Sequence, residues 1–302
     1  MKTEIRVKGF LDVPRTLQRF HLWGEDPANR LSPGVFRRAV KVAGRWRGYE
    51  VRWTGSVEGA RLLVSTPGER SARVLEAAAD EVARLCGLEL DLEGFYRVAA
   101  GDPVLGSLVP RLRGLRPTLA PQPFEMLVGS VCAQQVNLSF AFAVKARLVR
   151  RFGTAVEVGG HTVYGFPEAE RLARARVSEL RRMQLTTRKS EYIVGLGRQV
   201  ASGALDLAAL GGCSNEEVVE ALTAVRGFGR WTADWFLARH LGRGDVCAAG
   251  DLAVRRAFEH FYNRGRPLDE AAVRRRAAAW GPYQNMAVHY LLAGRQLGAA
   301  AA

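Results

Sequence analysis

Over the first 68 residues, apolar positions recur at every second place. TEIRVKG, RRAVKVAG, YEVRWTG and ARLLVSTP each alternate and are separated by Gly, Pro and Ser, the pattern of antiparallel strands with one buried face. One stretch breaks the period: VPRTLQRFHLWG sets Leu17, Phe20 and Trp23 at helical spacing, which predicts a short helix between the first and second strands. Residues 69–87 then place Val74, Leu75, Ala78, Val82 and Leu85 on one face and stop at Gly87, a helix that covers the sheet. Past Leu88 the period becomes helical, and no further strand is predicted. Helices bounded by Gly, Pro or polar caps are expected over roughly 92–100, 103–112, 122–135, 138–152, 167–174, 176–183, 186–202, 214–225, 230–241, 251–262, 268–279 and 283–297. The class is α+β, with an N-terminal antiparallel β-sheet domain with covering helices over 1–90 and a mostly α-helical domain over 91–302. GLRPTLAPQPFE, with its three prolines, reads as a connector between helical layers.

Composition narrows the partners. With 48% hydrophobic and 25% charged residues, the chain has the makeup of a folded globular protein, not a disordered one. A formal charge of +14 makes a polyanion the natural ligand, because each neutralised phosphate releases counterions. MKTEIRVKGF has no leader-like apolar core, and no apolar run reaches bilayer length, so a cytoplasmic protein without a membrane partner is expected. Cys86, Cys132, Cys213 and Cys247 are scattered without a CxxC pair, which argues for reduced thiols and no metal site.

The informative stretch is VVEALTAVRGFGRWTADWFLARHLGRGDVCAAGDLAVRRAF, residues 218–258. Two helices flank the link Val225-Arg226-Gly227-Phe228-Gly229, whose glycines permit positive φ and close backbone approach. The second helix starts at Gly229 or Arg230, so its unpaired N–H groups and dipole form a place for a phosphate. Such a contact positions a protein on a duplex without reading bases.

This link and helix start resemble the helix-hairpin-helix of the base-excision DNA glycosylase superfamily. A loop follows to Asp251, 22 residues after Gly229 (251 − 229), and GRWTADWF is most similar to the 3-methyladenine DNA glycosylase II branch. Residues 121–153 and 166–197 look like the family's earlier helical segments, so the resemblance covers about 92–297. The sheet domain is similar to the extra domain of longer members. Two positions depart from the pattern, Asn137 where Ser is common and Arg226 where Pro is common in the hairpin. The resemblance implies a two-subdomain helix-hairpin-helix fold, a monomer and a double-stranded DNA partner containing damaged bases. It requires no cofactor, although the family's hairpin can hold a monovalent cation on backbone carbonyls.

The implied chemistry is hydrolysis of an N-glycosidic bond, which passes through a sugar of oxocarbenium character and needs a fixed negative group near C1′. Asp251 is the candidate for that role; its bland alternative is a helix N-cap. Strand-cleaving branches use a lysine just after the hairpin, but Trp231 stands there and no lysine follows Lys189, which implies a monofunctional enzyme. A flipped, electron-deficient base favours aromatic faces. Trp231 and Trp235, four apart on one helix, are candidates, as is Tyr283 by resemblance, with Trp280 assigned to the core. Phe20 and Trp23 are candidates for a far wall contributed by the sheet domain. Gln135, then Gln134, would fill the gap left in the duplex. Arg188, Lys189, Arg226, Gly227, Gly229 and Arg230 are expected at phosphates. Two other readings stay open: a glycosylase for oxidised or deaminated bases, and a non-catalytic helix-hairpin-helix clamp that would need neither Asp251 nor the aromatics.

Overall fold

The computed structural model describes residues 1–298. The chain opens with β1 (Lys2–Arg6), two helical turns α1 (Val13–Leu17) and α2 (Arg19–Leu22), and strands β2 (Asn29–Ser32), β3 (Val35–Val42), β4 (Arg45–Thr54) and β5 (Arg61–Ser65). They form one sheet in the order β1-β5-β4-β3-β2, antiparallel throughout. Helix α3 (Ala72–Leu85) lies across it, and Val74, Leu75, Ala78, Val82 and Leu85 pack with Phe36, Val40, Leu62 and Val64 into one core. The alternation that predicted these strands is this burial. The four-residue strand β2 is too short to carry a period, and the sequence pattern missed it.

The second region holds α4 (Leu92–Ala100), α5 (Pro103–Leu108), α6 (Pro123–Ala133), α7 (Leu138–Phe152), strands β6 (Thr154–Val158) and β7 (His161–Gly165), then α8 (Ala169–Ala173), α9 (Val177–Arg181), α10 (Thr187–Ala201), α11 (Asn215–Thr223), α12 (Arg230–Phe236), α13 (Leu252–Tyr262), α14 (Glu270–Ala278) and α15 (Gln284–Gln296). The β6–β7 hairpin corrects the expectation of no strand beyond Leu88. TAVEVGGHTVYG alternates about a Gly159-Gly160 turn whose two residues have φ of 56° and 74°, a turn that glycine makes without steric cost. The hairpin covers the sheet face opposite α3, where Ala39 packs with Val158 and Val163. Gly48 and Gly165 permit this close approach, since a Cβ would come within 2.7 Å of Val158 at the first and 2.2 Å of Trp46 at the second.

Two separate cores fill the helical region. One joins α6–α12. The other joins α4 and α5 with α13–α15, so the segment just after the sheet packs with the C-terminal helices. Trp235 packs against both cores and marks the seam between them.

The sheet is tied to the helices by buried charge. Arg38 on β3 donates to Glu81 of α3 and Glu125 of α6, both at 2.8 Å, while Lys145 of α7 reaches Glu125 at 3.0 Å and Asp26 at 3.1 Å. Against the cost of burial, Arg38 and Lys145 hold the Glu125 carboxyl well below the usual carboxylate range. Removing one partner of such a group leaves an uncompensated buried charge, a loss of about 3–5 kcal/mol.

Candidate active site

After α11, the N–H of Phe228 closes a turn onto the Val225 carbonyl at 3.0 Å, and Phe228 is buried in the core. Gly227 takes φ of 94° beneath the Tyr192 ring, where a Cβ would sit 2.3 Å from a ring carbon. The turn therefore demands glycine twice over, for its φ and for its space. Gln134 donates its side-chain N–H to the Gly227 carbonyl at 2.8 Å, which fastens the end of α6 to the hairpin. Gly229 caps α12 in an extended conformation with open space around it.

Helix α12 and the loop behind it deliver Asp251 to the N-terminus of α13. Its Oδ1 accepts from the backbone N–H groups of Ala253 at 2.8 Å and Val254 at 3.2 Å. Its Oδ2 accepts the indole N–H of Trp231 at 2.7 Å and of Trp235 at 3.2 Å. The cap and the aromatic cluster are thus one construction, in which the cap immobilises the carboxylate and the indoles aim its second oxygen. Asp102 gives the contrast. It too caps a helix and accepts an indole N–H, from Trp280 at 3.1 Å, but Arg276 neutralises it at 2.6 Å. Among the described residues no cation lies within ion-pair distance of Asp251, so its charge is left for something else.

The loop before Asp251 is held from below. Asp234, fully buried on α12, takes Arg230 and Arg274 at 2.7 Å each, and Arg274 also donates to the Cys247 carbonyl at 3.0 Å. Past α12 the helix loosens into a π-helical turn, Leu237–Leu241. On it, Arg239 places its guanidinium carbon 5.5 Å from the centre of the Trp235 ring and donates to His289 Nδ1 at 3.1 Å. Burial and the nearby charge of Arg19 pull Arg239 down to about 9.

The other candidates make contacts of their own. Tyr283 donates to Asp91 at 2.7 Å and meets Phe95 at 6.4 Å between ring centres. Phe20 packs on Phe36, 5.3 Å between centres, as part of the sheet core. Trp23 ends α2, half-buried. Trp280 is buried in the core. Gln135 is exposed with φ of 54°, an αL conformation uncommon for a residue with a side chain. Asn137 caps α7 through the Phe140 N–H at 2.8 Å, so it replaces serine as a cap. Val136 and Leu138 beside them are 37% and 43% exposed, large apolar side chains on a protruding turn.

Lys189, expected at a phosphate, is also bound within the protein. Its amine donates to the Cys132 carbonyl at the end of α6, at 3.1 Å, and burial lowers its pKa. A helix C-terminus attracts a cation, and here it draws the side chain inward. Gln134, bound to Gly227, is likewise engaged as a tie, which leaves Gln135 as the free member of the pair. Arg226 is exposed and bridges to Glu191 at 2.9 Å, Arg230 is half-committed to Asp234, and Arg188 is exposed on α10. Sequence reasoning passed over Arg19, Thr118, Arg239 and His289, which are linked by hydrogen bonds from distant segments, with Arg239 beside Trp235. No spacing signal could have joined them.

The family model described as HhH-GPD superfamily base excision DNA repair protein matches residues 128–282, which hold the hairpin, α12 and Asp251. The chain is 33% identical over 204 residues to the DNA-3-methyladenine glycosylase of Bacillus subtilis, covering 68% of this chain and 67% of that protein. It is 26% identical over 221 residues to DNA-3-methyladenine glycosylase 2 of Escherichia coli, covering 73% and 74%. The solved 3-methyladenine DNA-glycosylase of Archaeoglobus fulgidus superposes with a TM-score of 0.88 at 30% identity over 98% of each chain, sheet domain included. On these grounds the chain belongs to the HhH-GPD superfamily of base excision DNA repair proteins.

Proposed function

We propose that this protein is a monofunctional DNA glycosylase that removes alkylated purines from duplex DNA, acting as a monomer. The observation that carries the reading is the Asp251 carboxylate, capped, oriented by two indoles and left without a counter-cation. The names of the Bacillus and Escherichia relatives support the substrate class.

In this reading the hairpin and the adjoining basic residues hold the phosphate backbone, and the damaged nucleotide swings out beside Trp231 and Trp235. The N-glycosidic bond breaks with its electron pair passing to the base nitrogen. An alkylated purine is already cationic and leaves as a neutral base. Positive charge developing at C1′ is met by Asp251 Oδ2, and water adds to C1′, losing a proton to the carboxylate or to solvent. The product is an abasic site with an intact strand, since no lysine follows Lys189 and the Lys189 amine is engaged on Cys132.

The test is release of free base from methylated duplex DNA by the wild type and by Asp251→Asn, with a gel for strand cleavage. Release falling by about 100-fold or more in the variant, with DNA binding kept and no strand cleavage by the wild type, is the expected result. Equal release by both proteins would remove Asp251 from the chemistry. Binding without release by the wild type would favour the clamp.

A further inference from the structure

The contact between the indoles and Asp251 crosses the seam between the two helical cores. Trp231 and Trp235 ride on α12, whose Ala233 and Phe236 belong to the first core, whereas Asp251 begins α13, whose Val254 and Phe258 belong to the second. The bond of 2.7 Å from Trp231 to the carboxylate therefore depends on how the two bodies are set against each other, and packed bodies within one chain shift unless the join between them is strong. Beside the site, Arg274 makes that join. From α14 of the second core it reaches Asp234 on α12 at 2.7 Å, and Asp234 stands three residues after Trp231 and one before Trp235.

The same guanidinium holds the other side of the contact. Its Nη1 donates to the Cys247 carbonyl at 3.0 Å, and its Nε and Nη2 both reach Glu270 Oε1, at 3.2 and 2.6 Å. From Cys247 to Asp251 the chain has little slack, since the Ala249 N–H closes onto the Cys247 carbonyl at 2.8 Å and the Asp251 N–H onto the Ala248 carbonyl at 2.9 Å. A planar fork whose three nitrogens are all engaged fixes direction as well as distance, so α12 and the turn that presents Asp251 are set against one rigid group. Asp234 is fully buried, which strengthens the tie because a pair withdrawn from water is screened less than an exposed one.

We infer that Arg274 is a positioning residue for base release, which keeps the two cores in the register at which both indoles reach Asp251 Oδ2. Its contribution passes through Trp231, Trp235 and the Asp251 turn, not through a contact with the base. The inference rests on the glycosylase reading and adds to it the group that fixes the distance within the site.

The experiment places Arg274→Met in the full-length wild type and in a background carrying Trp231→Phe and Trp235→Phe, which keeps both rings and loses both indole N–H groups. Single-turnover release of 3-methyladenine from methylated duplex DNA at saturating enzyme is set beside affinity for a duplex with a tetrahydrofuran abasic analogue, whose titration also counts folded protein. In the wild type the saturated rate should fall by about 10–100-fold, the cost of a small misplacement of reacting groups, with affinity for the analogue kept. In the Phe background the same substitution should cost little further, since the contact it aligns is already gone. A purely structural role would lower the folded fraction and leave the rate per folded molecule unchanged, and that result overturns the inference. So does an equal loss of rate in both backgrounds, which would detach Arg274 from the indoles. If Arg274→Met does not fold, Arg274→Lys keeps a cation for Asp234 and loses the planar fork, and the same comparison of backgrounds decides. No release of base by the wild type overturns the glycosylase reading and the inference together, whereas release that no Arg274 variant slows overturns the inference alone.

Discussion

Trp231 gives its indole N–H to the oxygen of Asp251 that the α13 backbone leaves free, at 2.7 Å. The bond orients the carboxylate without neutralising it. An arginine in the same place would hold the oxygen as firmly, as Arg276 holds Asp102, but would cancel the field that a developing sugar cation needs.

The two contributions of Trp231 are separable. Trp231→Phe keeps an apolar ring and removes the N–H, so base release should drop by about tenfold while folding changes by less than about 1.5 kcal/mol, the ordinary worth of one hydrogen bond. Trp231→Ala removes the ring as well and should cost more. Single-turnover rates set against urea denaturation check this. Equal rates for wild type and the Phe variant would mean that Trp235 alone orients Asp251.

Gly227→Ala tests the hairpin. The new methyl would meet the Tyr192 ring, and φ of 94° would be strained besides, which together should cost about 1–3 kcal/mol of stability and weaken DNA binding. Tyr192→Ala in the same chain should recover part of the stability by relieving the collision and none of the φ strain. Denaturation midpoints of the single and double variants decide it, and a fully additive loss would remove the Tyr192 contact from the account.

Stability should also fall on acidification before the carboxylates protonate. Burial lowers His240 to about 4, despite its bond to the Ala120 carbonyl at 2.8 Å, and His289 is held well below its ordinary value. Both rings stay neutral in the folded state but take up a proton near pH 6.5 when unfolded. The unfolded state therefore binds more protons across that window, and stability present above about pH 6.5 is lost toward pH 4, at up to about 1.4 kcal/mol per pH unit for each histidine. Urea denaturation at pH 7.5 and 5 should show the slope, and His240→Gln should flatten it. An unaltered slope in the variant would assign the effect elsewhere.

What could be read before folding was whatever repeats locally. The helical period fixed α6, α7, α10 and α13 to within two residues, and the Gly227-Phe228-Gly229 link with Asp251 beyond it carried the site. The β6–β7 hairpin alternates just as clearly, yet its strands of five residues lie between helices and their burial depends on a sheet more than 100 residues earlier in the chain. The same limit hid the roles of Lys189 and Gln134. Their partners are backbone carbonyls, Cys132 and Gly227, which carry no side-chain signature. Asp251 shows the converse, because the cap and the indole contacts compete as readings of the sequence and fall on two separate oxygens in space.

The bridge from Arg38 through Glu125 to Lys145 decides how the architecture may be edited. A chain cut back to its helices would strip Glu125 and Lys145 of the arginine and of Asp26, leaving one carboxylate and one amine to face each other at a newly opened surface. Helix α6 is thus written for a neighbour, and its sequence presumes the sheet.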